Sequence, residues 1–318
     1  MDTQPLVSIV IPNWNGAHFL PTCLDSLRRQ VYPNTEVIVV DNASHDGSLL
    51  LLQRDYPEVH TIALTENRGF AGGVNAGIRA ARGEILALLN NDTEADPRWV
   101  AELVRALDAH PDAGSAASKI LIFDRRDTIH SAGDAFRVDG LPANRGVWQK
   151  DTGQFDREEY VFGGCGGAVA YRRALLEQIG AFDEGFFFNC EDVDLAWRAQ
   201  LAGWRCIYVP SAIVYHYLSA TGGGVTASYY TGRNTLWVLA KNLPTPLLRR
   251  HWMAILRAQA RIAWDALRAW RGAAARARLR GQVAGIIGLA YPLRQRRAIQ
   301  AGRRADILEL ERLLQVDP

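Results

Sequence analysis

LVSIVIPNWNGAHFLPTCLDSLRRQVYPNTEVIVVDNASHDGS, residues 6–48, changes its period twice. Residues 6–12 are an apolar, β-branched run. Leu20, Leu24 and Leu27 then recur at helical spacing, and TEVIVVD (35–41) returns to a strand pattern. Strands that are apolar throughout, rather than at alternate positions, are covered on both faces, as in a parallel sheet between helices. The alternation continues outward. VHTIAL (59–64) reads as a third strand, GFAGGVNAGIRAA (69–81) as a helix, EILALLN (84–90) as a fourth strand and PRWVAELVRALDAH (97–110) as a helix with Pro97 in its first turn. The expected class is α/β, with a doubly wound core. Ligands of such sheets sit outside the carboxyl ends of the strands, where Asp41 and Asn90-Asn91-Asp92 fall.

The remainder is less regular. Residues 111–160 carry short strand-like pieces and glycines, expected as hairpins or a flap. Residues 161–180 read as a glycine-rich strand entering a helix, 191–203 as a helix with acids in its first turn, and 204–210 and 212–217 as two strands. From about Tyr229 the pattern is helical. Residues 1–240 hold 20 Lys+Arg against 29 Asp+Glu, whereas 241–318 hold 16 against 5. This shift sets the expected boundary, a catalytic or binding body over 1–240 and a basic amphipathic helical region over 241–318 that meets something anionic. The composition, 48% hydrophobic and 22% charged, excludes a mainly disordered chain. No apolar run reaches the ~18 residues of a membrane span, and MDTQPLVSIVIP lacks the pattern of a signal peptide. Cys23, Cys165, Cys190 and Cys206 form no C-x-x-C pair, so they are expected as reduced thiols of a cytosolic protein.

Several groups have two readings. Asp41 can accept from a ligand ring N–H or close the following turn. Asn90-Asn91-Asp92 can supply an oxygen to a divalent cation that also holds phosphates, or simply make a turn. The stretch 66–73, ENRGFAGG, puts glycines at a helix N-terminus, which suits phosphate or close helix packing, and matches neither G-x-G-x-x-G nor a P-loop. Glu191 and Asp192 follow Phe186-Phe187-Phe188, and acids beside apolar bulk serve as general bases. For Asp194, compensation of the helix dipole is the preferred reading. His216 closes a strand between Tyr215 and Tyr217, where a lone histidine is usually structural. Arg233, after the Gly222-Gly223-Gly224 loop, holds a diphosphate or a surface partner.

VSIVIPNWNG, VVDNASHDGS, ENRGFAGGVNAGI, LLNND and FFFNCEDVDLAWRAQLAGW, followed by VP and VYH, occur in an order that resembles the family 2 glycosyltransferases over about residues 6–240, closest to a bacterial rhamnosyltransferase-like subgroup. The resemblance implies a GT-A fold and inverting transfer from a nucleotide diphosphate-sugar. It implies Asp192 as catalytic base with Glu191 as neighbour or substitute, and Asp92 and His216 as ligands of Mg²⁺ or Mn²⁺. Pro12, Asn13, Asn15, Asp41, Asn67, Arg68, Gly69, Asn75, Asn91 and Arg233 would face the nucleotide and donor. One departure stands out: the family's D-x-D begins with Asn90 here, which removes one negative charge. The favoured donor is dTDP-rhamnose, with a UDP- or GDP-sugar as alternative, and the acceptor a polyprenyl-linked or saccharide hydroxyl.

The basic region carries Trp252, Trp264 and Trp270 among arginines. It is expected to dock on the cytosolic face of an anionic membrane, or else to pack on the body or form a homodimer. Two other classes fit parts of the chain. A non-catalytic nucleotide or nucleic-acid binder would explain the basic tail, but the acidic body and the lack of a nucleic-acid-binding signature speak against it. A nucleotidyltransferase would share the α/β half and release pyrophosphate rather than nucleoside diphosphate.

Overall fold

The computed structural model describes residues 4–217 and 224–315, so Gly222 and Gly223 lie outside the described residues. Its first half alternates as expected: β1 (Val7–Asn13), α1 (Leu20–Arg28), β2 (Thr35–Asp41), α2 (Ser48–Asp55), β3 (His60–Ala63), α3 (Gly69–Ala80), β4 (Ile85–Leu89), β5 (Thr93–Ala95) and α4 (Trp99–Ala109). Pro97 precedes the Arg98 cap of α4 rather than occupying its first turn.

Then come β6 (Ala113–Ile122), β7 (Arg125–Ala132), β8 (Asp134–Arg137), β9 (Pro142–Asn144), β10 (Glu159–Val161), β11 (Ala168–Arg172), α5 (Arg173–Ile179), α6 (Glu191–Leu201) and β12 (Arg205–His216). The last stretch is α7 (Gly224–Asn242), α8 (Thr245–Arg268), α9 (Ala273–Ile287), α10 (Ala290–Ala301), α11 (Ile307–Leu313) and β13 (Leu314–Gln315).

The main sheet runs β10-β12-β6-β11-β4-β1-β2-β3. Its β3-β2-β1-β4 half is parallel, and β11 enters antiparallel between β4 and β6. The two faces separate cleanly. Ile9, Ile11 and Val39 pack with α1, α2 and α4, while Val10, Ile38, Val40, Leu86 and Leu88 pack with α3, α5 and α6. That double burial is why these strands read as continuous apolar runs. The two strands expected over 204–217 are one strand, β12, bent between Val209 and Ile213. Pro210 lies in the bend, where a residue without an N–H leaves the ladder short of a donor. The hairpins expected in 111–160 are β6–β7 and β8–β9.

The expected boundary at residue 240 falls inside α7. Trp237, Val238, Leu239 and Leu243 of this region share a core with Phe186, Val193 and Trp197 of the α6 region and with Leu247, Ile255 and Leu310. Helix α9 lies close along α7: a Cβ on Gly281 would meet the Tyr229 carbonyl oxygen at 2.0 Å. Polar contacts cross the same boundary. Asp194, fully buried, accepts from Arg198 Nε at 2.9 Å, Asn242 Nδ2 at 2.8 Å and Lys241 Nζ at 2.8 Å, and Lys241 also reaches Asp183 at 2.5 Å. Asp194 therefore joins α6 to α7 in addition to any dipole role. An unpaired buried charge is strongly destabilising. Lys241→Ala should take one of the two cations from Asp194, leaving Arg198, break the Asp183 pair as well, and lower the unfolding free energy by about 3–5 kcal/mol, read by urea titration. A loss below about 1 kcal/mol, the range of an exposed pair, would mean that water reaches the site.

Candidate active site

The carboxyl ends of β1, β2 and β4 converge, and their polar side chains link in series. Asn91 Nδ2 donates to Asn13 Oδ1 at 2.7 Å, and Asn13 Nδ2 donates to Asp41 Oδ2 at 2.9 Å. All three residues are buried. Asp41 Oδ1 accepts from the Ser44 backbone N–H at 2.9 Å, so the turn-closing reading of Asp41 holds locally. Asn15, in left-handed backbone (φ 51°), accepts from His45 N, and its own N–H donates to Ser44 Oγ. Pro12 pairs with Val40 in the β1–β2 register beside this cluster.

The glycine loop adjoins it. Asn67 Oδ1 accepts from Gly69 N, while Asn42 accepts from Arg68 N and donates to the Gly69 carbonyl, both at 2.8 Å. Gly69 has φ +71°, and a Cβ there would meet the Phe187 carbonyl oxygen at 2.3 Å, so the position admits glycine only. The Arg68 side chain is half-exposed and only loosely paired with Glu66, at 3.7 Å. Asn75 and Arg233 are spent differently. Asn75 exchanges hydrogen bonds with the Phe182 backbone in both directions. Arg233 donates to the Gly185 and Phe186 carbonyls at 2.7 and 2.8 Å. Both hold the 182–186 loop, so the donors that a diphosphate would take are largely engaged by backbone.

Asp92 is buried, and its Oδ1 lies 3.0 Å from His216 Nε2. The other ring nitrogen of His216 lies 3.0 Å from His130 Nδ1. Burial, then the neighbouring imidazole, pushes His130 down to about 4, so it is neutral near pH 7 and can donate or accept. A relay of this kind orients a metal-ligating histidine. Among the described residues no group of three or more His, Cys, Asp and Glu forms a cation cage. One carboxylate and one imidazole suit Mg²⁺ or Mn²⁺ when substrate phosphates and water complete the shell.

Asp192 occupies the first turn of α6. Its Oδ2 accepts from Gly166 N at 3.0 Å and its Oδ1 from Val193 N at 2.8 Å. The neighbouring Gly167 carbonyl accepts from Asn90 N at 2.9 Å, so the glycine loop 163–167 bridges Asp192 to the Asn90-Asn91-Asp92 end of β4. Burial raises the Asp192 carboxyl, opposed by its backbone donors. Burial, with the Asp192 charge, raises Glu191 well above the usual range, and Glu191 Oε2 finds no partner among the described residues. Asp134 is likewise raised by burial and by Asp192. The sequence singled out neither Asp134 nor His130. Each is a single polar residue in an irregular stretch, and no local spacing marks it.

With this geometry in place, similarity to known proteins can be weighed. The family described as "Glycosyl transferase family 2" matches residues 8–180. The O-antigen biosynthesis protein RfbC of Myxococcus xanthus is 31% identical over 68% of this chain and 18% of its own length. An N-acetylglucosaminyl-diphospho-decaprenol L-rhamnosyltransferase of Mycobacterium tuberculosis is 29% identical over 72% of this chain and 80% of its own. Of three curated relatives that are 31% identical, this chain spans 26%, 18% and 62% of the length. Among solved structures, a mannosyltransferase from Pyrobaculum calidifontis in complex with GDP-Man and Mn²⁺ superposes with a TM-score of 0.57 at 22% identity, over 95% of this chain and 85% of that one. That likeness shows the shared GT-A fold.

The raised Glu191 carboxyl has a consequence for stability. A carboxyl raised in the folded state contributes stability below the unfolded value of 4.5 and loses it as pH climbs through the folded value. Glu191→Gln should therefore melt with the wild type near about pH 4 and above it near about pH 8. Coincident melting at both pH values would show that Glu191 is not held protonated.

Proposed function

The chain belongs to glycosyl transferase family 2, and from that premise we propose that it is an inverting glycosyltransferase of cell-surface polysaccharide synthesis, with Asp192 as its base. The observation that carries this reading is that one short loop links two groups of polar side chains. On one side lies a buried Asp41–Asn13–Asn91 chain with Asp92 and His216. On the other lies the partly buried Asp192 carboxylate at a helix start, joined to the first by the glycine loop. Asp192 accepts the proton of an acceptor hydroxyl. That oxygen attacks the anomeric carbon from the face opposite the nucleotide, and nucleoside diphosphate departs. Asp92 and His216 are the two protein ligands for a Mg²⁺ or Mn²⁺, which would offset the negative charge growing on the leaving diphosphate. Arg68, half-exposed beside the α3 N-terminus and loosely paired with Glu66, is a cation placed on the donor side.

For the donor we favour dTDP-rhamnose, on the likeness to the rhamnosyltransferase, with UDP- and GDP-sugars as alternatives. The acceptor is a lipid-linked or saccharide hydroxyl. Calorimetry with dTDP, UDP and GDP, each with and without Mn²⁺, tests the donor site. Metal-dependent binding of one nucleotide, weakened by Asp92→Ala, is expected, and the preferred base names the donor class. Binding that ignores both metal and Asp92→Ala would remove Asp92 from the site. Asp192→Asn should lower turnover by ~10²–10⁴-fold with nucleotide affinity retained, and release of pyrophosphate instead of nucleoside diphosphate would point to nucleotidyl transfer.

Peripheral docking on an anionic membrane completes the proposal. No described helix is long and apolar enough to cross a membrane. Trp252, Leu256, Trp264, Leu267 and Trp270 are all more than half exposed, interleaved with exposed arginines 257, 261, 268 and 271. A groove of about 530 Å³ lined by Trp270, Leu279, Val283 and Ile287 extends this face onto α9. Interfacial tryptophans and basic residues, each worth about 1 kcal/mol near anionic lipid, fit such a surface. A cut at residue 240 would remove Lys241 from Asp194, so substitutions are the cleaner probe. The triple variant Trp252→Ser, Trp264→Ser, Trp270→Ser should lose most co-sedimentation with phosphatidylglycerol vesicles. Equal pelleting of variant and wild type would exclude the tryptophan face as the lipid contact.

A further inference from the structure

Between Phe186 and Glu191 the backbone turns the wrong way three times. Phe187 (φ 64°), Asn189 (φ 63°) and Cys190 (φ 67°) all lie in the left-handed region, and none is glycine. Cys190 is the residue from which α6 starts, two positions before Asp192. A path of this kind persists only where its surroundings over-determine it.

The surroundings that hold it come from α7. Asn234 is wholly buried, and its single amide nitrogen lies 2.9 Å from the Phe186 carbonyl, 2.9 Å from that of Phe188 and 2.6 Å from that of Asn189. Its amide oxygen accepts from Arg233 Nε at 2.8 Å, which fixes which end of the amide faces the loop. The Phe187 ring stacks on Tyr230 at 5.1 Å, and Asn189 Nδ2 donates to Thr231 Oγ1 at 3.1 Å. Residues 230, 231, 233 and 234 thus grip consecutive residues of the strained turn from one helix.

We propose that Asn234 is a positioning residue for Asp192: by gathering three carbonyls of the turn that launches α6, it sets where the base meets the acceptor hydroxyl. Asn234 touches neither substrate nor the Asp192 carboxylate and acts through residues 186–190. The proposal rests on the reading of Asp192 as the base.

Replacing Asn234 should therefore act on the chemical step more than on donor binding, whose Asp41–Asn13–Asn91 and Asp92–His216 groups lie on other elements. Asn234→Ala, and Asn234→Asp, which turns the gathering donor into an acceptor facing acceptors, should each lower kcat by ~10–100-fold, the scale of a misplacement near 1 Å. Donor KM and nucleoside diphosphate affinity should stay within about twofold. Asn234→Ser, which keeps one short donor, should fall between Ala and wild type in kcat. It also serves as the test variant if Asn234→Ala does not fold. A kcat within twofold of wild type in any folded variant lacking the amide, or equal losses in kcat and in nucleotide affinity, would overturn the proposal.

Asp192→Asn, measured beside these variants, separates the two claims. If it keeps full turnover, the base assignment fails, and amide hydrogen exchange over residues 186–192 decides the role of Asn234. Faster exchange in Asn234→Ser than in wild type supports the clamp, and unchanged exchange refutes it.

Discussion

The carboxylate of Asp194 is the interaction on which the rest of the molecule depends. It lies wholly inside the protein, two residues after Asp192, and meets Lys241, Arg198 and Asn242. A buried ion group of this kind loses its hydration and is tolerable only when every member is paired. The pairing is nearly complete here. Arg198 spends its remaining donors on the carbonyls of Ile179, Gly180 and Ala181, and Lys241 reaches Asp183 as well. One anion thereby fixes helix α6 against the loop that follows α5 and against α7.

The first turn of α6 holds opposing forces. A helix N-terminus favours negative charge, yet burial raises both Glu191 and Asp192. Desolvation acts with little opposition at Glu191, whose Oε2 has no donor among the described residues, while backbone donors partly offset it at Asp192. The preceding turn adds strain of about 1–3 kcal/mol for each left-handed non-glycine residue. A group that must take a proton from a neutral hydroxyl gains from a raised affinity for it. On the proposed reading of Asp192 as the base, the strained turn serves to fix that carboxylate, and the α7 contacts offset the strain.

The sequence was most legible where burial is simplest. Strands β1, β2, β3 and β4 are apolar at successive positions because helices cover both sides, and the boundary of β2 is read without error. Asp41, Asn91 and Asp92 follow from the same logic, since strand ends in such sheets face the ligand. Legibility failed where a polar side chain answers to backbone. Asn75 and Arg233 have the chemistry of phosphate ligands, but carbonyls at 182 and 185–186, which no residue pattern encodes, take their donors. His130 reaches His216 across 86 positions. The change of composition near residue 240 is real, yet charge counting gives a buried lysine the weight of an exposed one, and Lys241 belongs to the interior.

That placement of Lys241 bears on how proteins of this plan acquire new C-terminal regions. A recombination that joined this sheet to a foreign helical module at the charge boundary would take Lys241 and Asn242 from Asp194 and leave Arg198 alone against its charge. The crossover must spare not only Leu243 but also Leu247, Ile255 and Leu310, which share the same core. Helix α7 is then inherited with the sheet, and so are the α8 and α11 residues that complete its core.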